Sequence, residues 1–155
     1  MFKCNLWVYG LMIIALSACK EKPTFSSLPG ITGNSGALIT QDFDSAQIKR
    51  GEVVYLDNCV GCHGPNGAGT PDWRKPNADG KYPPPPLDGS AHAWHHPTDV
   101  LKKTILRGTP PEIGSMPAWE GKLTDQQIDD VIVWIKSLWP AEIYDLWYKN
   151  FESKQ

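Results

Sequence analysis

Cys59 and Cys62 are separated by two residues, and His63 follows directly, in the string Cys59-Val60-Gly61-Cys62-His63. Four kinds of chemistry use such a set. Two thiols can add across the vinyl groups of one porphyrin edge while the adjacent imidazole reaches the iron, which is the pattern of c-type haem attachment. They can form a redox-active pair of thioredoxin type, but that needs a strand–helix setting, and the flanks here suggest helix before and loop after. They can bind zinc together with two of His92, His95 and His96. They can close a structural disulfide, which gives the adjacent histidine no task. Haem attachment employs all three side chains.

The other two of the four cysteines lie near the start of the chain. Residues 6–16 form an apolar run broken only by Gly10, and Lys3 precedes it. A spanning helix needs about 20 apolar residues and a signal-peptide core about 7–15, so the run predicts an export signal. The competing reading is an uncleaved anchor helix. Leu16-Ser17-Ala18-Cys19 then resembles the lipobox of bacterial lipoprotein precursors. By that resemblance residues 1–18 are removed and Cys19 is lipidated as the new first residue. Each buried methylene contributes about 0.8 kcal/mol, so more than one acyl chain gives stable anchoring. Lys20 at the next position resembles outer-membrane sorting in Gram-negative lipoproteins. Cys4 leaves with the signal, and no third thiol remains to pair with Cys59 or Cys62.

The 155 residues suit one domain after the signal, not a large multidomain enzyme. A net charge of −2 argues against nucleic acid as a partner, because phosphate neutralisation needs a basic surface. With 41% hydrophobic residues and 7 Trp the chain has material for a core, while 14 Gly and 14 Pro imply much loop. Residues 19–44 are rich in Ser, Gly, Thr and Pro without a hydrophobic period. They read as a flexible tether with a root-mean-square span of roughly 25–30 Å.

Three helices must position the chemistry. Asp44-Ser45-Ala46-Gln47 matches a capping box and predicts a helix over residues 45–58, directly ahead of the motif. Gly51 sits inside it, which suggests that another element passes close to the backbone. Thr124-Asp125-Gln126-Gln127 is a second capping box. It opens a helix over residues 125–138 with Ile128, Val131, Ile132 and Ile135 on one face and Pro140 beyond its end. A shorter helix fits residues 97–106, with Thr98 as N-cap and Gly108 as its stop. No segment alternates with period two, so strands are not predicted.

Met116 is the only methionine left once Met1 and Met12 depart with the signal. It lies in Gly114-Ser115-Met116-Pro117, a loop without helical period, where a core-filling role is less natural than iron ligation. The rival distal ligands are His92, His95 and His96. Near the end, Ile143, Leu146, Trp147 and Phe151 keep helical spacing, with Tyr144 and Tyr148 beside them. They form either a short helix packed on the domain or a docking or membrane-surface patch.

Taken together, Gly51, Tyr55, Cys59-x-x-Cys62-His63-Gly64, Met116-Pro117, Val131 and Trp134 resemble a class I monohaem c-type cytochrome, here in a bacterial lipoprotein form. The resemblance covers residues 44–140. It implies an all-α fold of four to five helices around one covalently bound haem c. In that fold the first and last helices cross, with Gly51 and Tyr55 facing Val131 and Trp134. It implies thioethers at Cys59 and Cys62, and His63 and Met116 on the iron. Pro-Leu-x-Gly also matches, at residues 86–89, and in the family a proline carbonyl in this loop fixes the proximal imidazole. Here that carbonyl belongs to Pro85 or Pro86. Trp73 and Trp94 are expected to line the haem cavity or pack its loop.

The domains expected are a signal at 1–18, a tether at 19–44, a cytochrome domain at 45–140 and an aromatic extension at 141–155. The function implied is electron carriage between transient redox partners, not enzymatic catalysis. The chain would be exported and held by lipid on the periplasmic side of a cell or outer membrane. The alternatives are a haem protein whose methionine ligand dissociates to admit a gas or peroxide, and a haem-free Cys/His metal protein.

Overall fold

The computed structural model describes residues 37–155. The expected signal, the lipidation site Cys19 and most of the tether lie outside these residues. Five α-helices make up the described chain, with no strand among them: α1 (Ser45–Asn58), α2 (Val60–His63), α3 (Thr98–Arg107), α4 (Asp125–Ser137) and α5 (Ala141–Trp147). Short 3-10 turns at Pro65–Gly67 and Ala93–His95 punctuate the loops, and a wider helical turn, Tyr148–Glu152, closes the chain. This is the all-helical cytochrome c fold that the sequence implies.

The helices begin where their caps dictate, with one difference at each of two sites. At α1 the Asp44 carboxylate accepts the Ala46 N–H at 3.0 Å, so the cap forms without closing into a box with Gln47. At α4 the box does close: Thr124 Oγ1 accepts the Gln127 N–H, and Gln127 Oε1 accepts the Thr124 N–H at 2.9 Å. α3 corrects the expectation for Thr98, which is the first helical residue and not the cap. Pro97 occupies the cap position, and the Thr98 hydroxyl donates to the distant Glu152 carboxylate instead.

α1 and α4 pack through Gly51. A β-carbon there would run into the Asp130 carbonyl and stand 2.8 Å from Trp134 Cβ, so only glycine lets the two backbones approach this closely. Beside this contact Tyr55 and Trp134 stack with ring centroids 4.2 Å apart, and Val131 is buried. Arg50 forks onto Asp130 with N–O distances of 2.8 and 3.2 Å, which holds that buried carboxyl below its ordinary range.

The C-terminal aromatic segment belongs to the same core. Tyr144 and Trp147 are buried in one cluster with Tyr55, Trp134 and Trp139, while Leu146 and Tyr148 remain exposed. Trp147 Nε1 donates to the His96 carbonyl at 2.9 Å, and Trp139 Nε1 to that of Leu87 at 2.8 Å. The indoles thereby fasten the long loop between α2 and α3. Residues 39–43, counted in the tether by composition, also lie on the domain. The Ile39 N–H donates to Asp145, Gln41 Nε2 to the Lys136 and Trp139 carbonyls, and Phe43 meets Tyr144 edge-on at 5.5 Å. These contacts place the end of any free tether ahead of Ile39.

Candidate functional site

The motif sits at a joint between helices. Cys59 caps the end of α1 through its N–H to the Tyr55 carbonyl, and its own carbonyl then accepts the N–H groups of Cys62 and His63 at 3.1 and 2.9 Å. One turn of backbone thus carries both thiols and the imidazole. Neither cysteine forms a disulfide among the described residues. Cys59 is half-buried, and burial, aided by Cys62, pushes its thiol up to about 11, whereas Cys62 is exposed.

His63 Nδ1 stands 3.2 Å from the Pro85 carbonyl, so of the two prolines considered the contact falls to Pro85. In the tautomer that donates there, Nε2 keeps its lone pair for a metal. Burial lowers the pKa of the ring while the Pro85 contact acts the other way, and the net shift favours the neutral, ligating form.

Pro85 is set in place by the loop that leaves the motif. The Gly69 N–H donates to the His63 carbonyl at 2.7 Å, the Thr70 N–H to Pro84 at 2.9 Å, and the Leu87 N–H to Gly67 at 2.7 Å. Gly69 has φ +71°, and a β-carbon on it would stand 2.6 Å from the Pro85 carbonyl carbon. A side chain at this position would therefore push the proline run away from His63.

Met116 is half-buried in the loop between α3 and α4. Thr109 clasps its backbone from both sides: Oγ1 accepts the Met116 N–H, and the Thr109 N–H donates to the Met116 carbonyl, both at 3.1 Å. The Trp119 N–H hangs the same loop from the Ile105 and Leu106 carbonyls in the last turn of α3. Thr109 went unremarked in the sequence, where its only signal is a hydroxyl directly after the helix-ending Gly108.

The rival histidines pack against aromatic rings and one another. His92 neighbours Trp73 and His96, with ring centroids at 5.3 and 6.1 Å, and His95 packs on Trp94 at 4.0 Å. Burial first, then the neighbouring His96, lowers the pKa of His92. Among the described residues no three His, Cys, Asp or Glu side chains form a metal cluster. Trp73, Arg74, Tyr82, Pro85, His92 and Ile113 line a cleft of about 400 Å³ that shares Pro85 with the His63 contact. Arg74 lies over the Trp73 ring at 4.2 Å.

A porphyrin suits what is present. α3 carries Val100, Leu101, Ile105 and Leu106 half-buried, and none of its side chains is fully buried. Cys59, Val60, Leu87, Leu101, Ile105 and Leu123 all pack half-buried against the core cluster. Apolar side chains left half-covered beside two thiols and a neutral imidazole are what a flat apolar ring with a central metal would complete.

Residues 46–135 match the protein family described as "Cytochrome C oxidase, cbb3-type, subunit III". The chain is 33% identical over 106 residues to the Cbb3-type cytochrome c oxidase subunit FixP of Bradyrhizobium diazoefficiens, a stretch covering 67% of this chain and 31% of that protein. It is 29% identical over 102 residues to subunit CcoP of Cereibacter sphaeroides, covering 66% and 31%. It is 32% identical over 96 residues to CcoP of Azospirillum brasilense, covering 61% and 30%. The matched stretch is thus about a third of the length of these relatives. No solved structure matches the chain.

Proposed function

We infer that this chain, which belongs to the family of cytochrome c oxidase, cbb3-type, subunit III, is a lipid-tethered electron carrier built on one covalent haem c. When bound, haem c supplies a single iron that is reversibly oxidised and reduced. Cys59 and Cys62 would hold it through two thioether bonds, and His63 would supply a nitrogen to the iron. Met116 would supply a thioether sulfur, which favours the reduced iron and raises the potential. With His63 and Met116 both holding the iron, these residues would bind and tune the group for electron transfer. The Pro85 contact at His63 is the observation that carries this reading, because it occupies Nδ1 and leaves Nε2 free to take a metal next to two thiols in sequence.

The matched relatives are named as subunits of an oxidase, and the same assignment supports a role in delivering electrons to a membrane oxidase. Lipidation at Cys19 would keep the domain beside such a partner on the periplasmic side. A tether in residues 19–38 would raise the frequency of transient encounters through an interface under about 1,200 Å².

Production of the full chain in a host competent for haem ligation tests the reading. After denaturation haem should stay on the polypeptide, as seen by haem staining and the pyridine haemochrome spectrum. Replacement of both Cys59 and Cys62 by Ser should abolish the staining, and Cys19→Ser should move the protein from the membrane to the soluble fraction. A colourless wild-type product would refute the cofactor assignment.

A further inference from the structure

We propose that Glu152, acting with Thr98 and Lys136, is a positioning residue for Met116: the C-terminal turn fixes the start of α3, and α3 carries the methionine loop. This deepens the reading of Met116 as an axial ligand and rests on it.

α3 cannot cap itself. The residue at its cap position is Pro97, which offers no side-chain acceptor. Glu152 supplies the missing cap from 54 positions away. Its Oε2 accepts the Thr98 N–H at 2.8 Å and its Oε1 accepts the Thr98 hydroxyl at 2.6 Å. A carboxylate at this end of a helix satisfies an otherwise unpartnered N–H and complements the helix dipole.

The same hydroxyl accepts from Lys136 Nζ at 2.5 Å. Lys136 is a buried cation on α4, with its ammonium 4.2 Å over the Trp147 ring. α3, α4 and the final turn therefore meet at one hydroxyl group. Trp147 sets the register of that final turn by bonding the His96 carbonyl, two residues ahead of Thr98.

Packing holds α3 only in part: Leu101 and Ile105 lie half-buried against the core, and none of its side chains is fully buried. Polar ties hold it at its start, through Glu152, and midway, where Lys102 pairs with Asp129 at 2.9 Å. At its far end the Ile105 and Leu106 carbonyls hold Trp119, and Thr109 holds Met116. A displacement of the helix start is thus passed along a rigid element to the loop that bears the sulfur.

The test uses the full-length holoprotein in its ferric state. Glu152→Ala should weaken the far-red absorbance band that marks a methionine sulfur on ferric haem iron. It should also tighten imidazole binding roughly tenfold, equivalent to about 1.4 kcal/mol. Haem content should stay unchanged. Glu152→Gln, which keeps one acceptor, should fall between wild type and Glu152→Ala. It serves as the test if the alanine variant does not accumulate. Wild-type band intensity and imidazole affinity in a haem-loaded variant would overturn the proposal. A haem-free wild type would instead overturn the cofactor assignment beneath it.

Discussion

The Tyr55 hydroxyl donates to the Gly64 carbonyl at 2.5 Å, one residue beyond His63, and accepts the Gly67 N–H at 3.2 Å. Its ring is fully buried against Trp134. One side chain therefore couples the α1–α4 contact to the loop that leaves the motif. Burial pushes the phenol up to about 12, with Cys59 adding to the shift and the Gly67 bond opposing it, so it stays a donor at any ordinary pH. Tyr55→Phe keeps the ring and leaves the Gly64 carbonyl and Gly67 N–H short of a partner. Urea denaturation should show a loss of about 1–3 kcal/mol with covalent haem retained. An unchanged midpoint would mean that water replaces the hydroxyl without cost.

Gly51→Ala should be among the most damaging single-methyl changes in the chain. The added carbon meets the backbone of Asp130 and the Cβ of Trp134, neither of which can rotate away. Relief requires α1 and α4 to separate, which also strains the Arg50–Asp130 pair. Overpacking of this kind costs about 1–3 kcal/mol or more, against an intrinsic helix gain of about 0.8–1.0 kcal/mol for Ala over Gly. Thermal melting of the holoprotein should show a net destabilisation. A higher melting temperature would show that the helix contact is soft.

Helix positions were legible because their signals are local. The Thr124–Gln127 box and the apolar spacing of Ile128, Val131, Ile132 and Ile135 lie within α4 itself. Gly51 announced a close neighbour because glycine is costly in a helix interior. What stayed hidden depends on residues far apart in sequence. The Arg50–Asp130 pair spans 80 positions, the Thr98–Glu152 cap 54, and the Gln41 contacts with Lys136 and Trp139 95 and 98. Periodicity carries no information about such pairings. Thr98 looked like a cap because its hydroxyl suits one locally, and a carboxylate on the final turn claimed that hydroxyl instead. The choice between Pro85 and Pro86 also needed the fold, since both lie in one proline run and only three-dimensional placement selects a carbonyl.

Met116→Ala should leave covalent haem in place and remove the far-red band of the ferric protein. Imidazole or cyanide should then bind the iron at concentrations at least ~10-fold lower than in wild type, because no protein sulfur has to be displaced, a change worth about 1.4 kcal/mol or more. The redox potential should fall, since thioether sulfur favours the reduced iron. Equal ligand affinity in the two proteins would transfer the distal role to another side chain, with His92, His95 and His96 the first to replace in turn.

The buried Lys136 predicts a particular pH dependence. Burial is the main cause that pushes its ammonium from 10.5 down to about 8, opposed by Glu152 and Asp129. The groups facing it are the Thr98 hydroxyl and the Glu152 carboxylate, Asp129 with its partner Lys102, and the Trp147 ring. Below pH 8 the lysine is charged in both folded and unfolded chains, and the folded state bears the full cost of the buried cation. Between about 8 and 10.5 the unfolded chain keeps a proton that the folded chain has released, so unfolding becomes less favourable as pH rises. At about 1.4 kcal/mol per pKa unit, this adds roughly 2–3 kcal/mol of stability across pH 8–10. Tyr55 and Tyr144, whose phenols burial pushes up from 10.0, act in the opposite direction above pH 10, which sets the upper limit of the useful window. Lys136→Met should abolish the rise in denaturation free energy between pH 8 and 10. If the two proteins show parallel pH profiles there, Lys136 keeps its ordinary affinity for the proton and the cation is better solvated than its surroundings indicate.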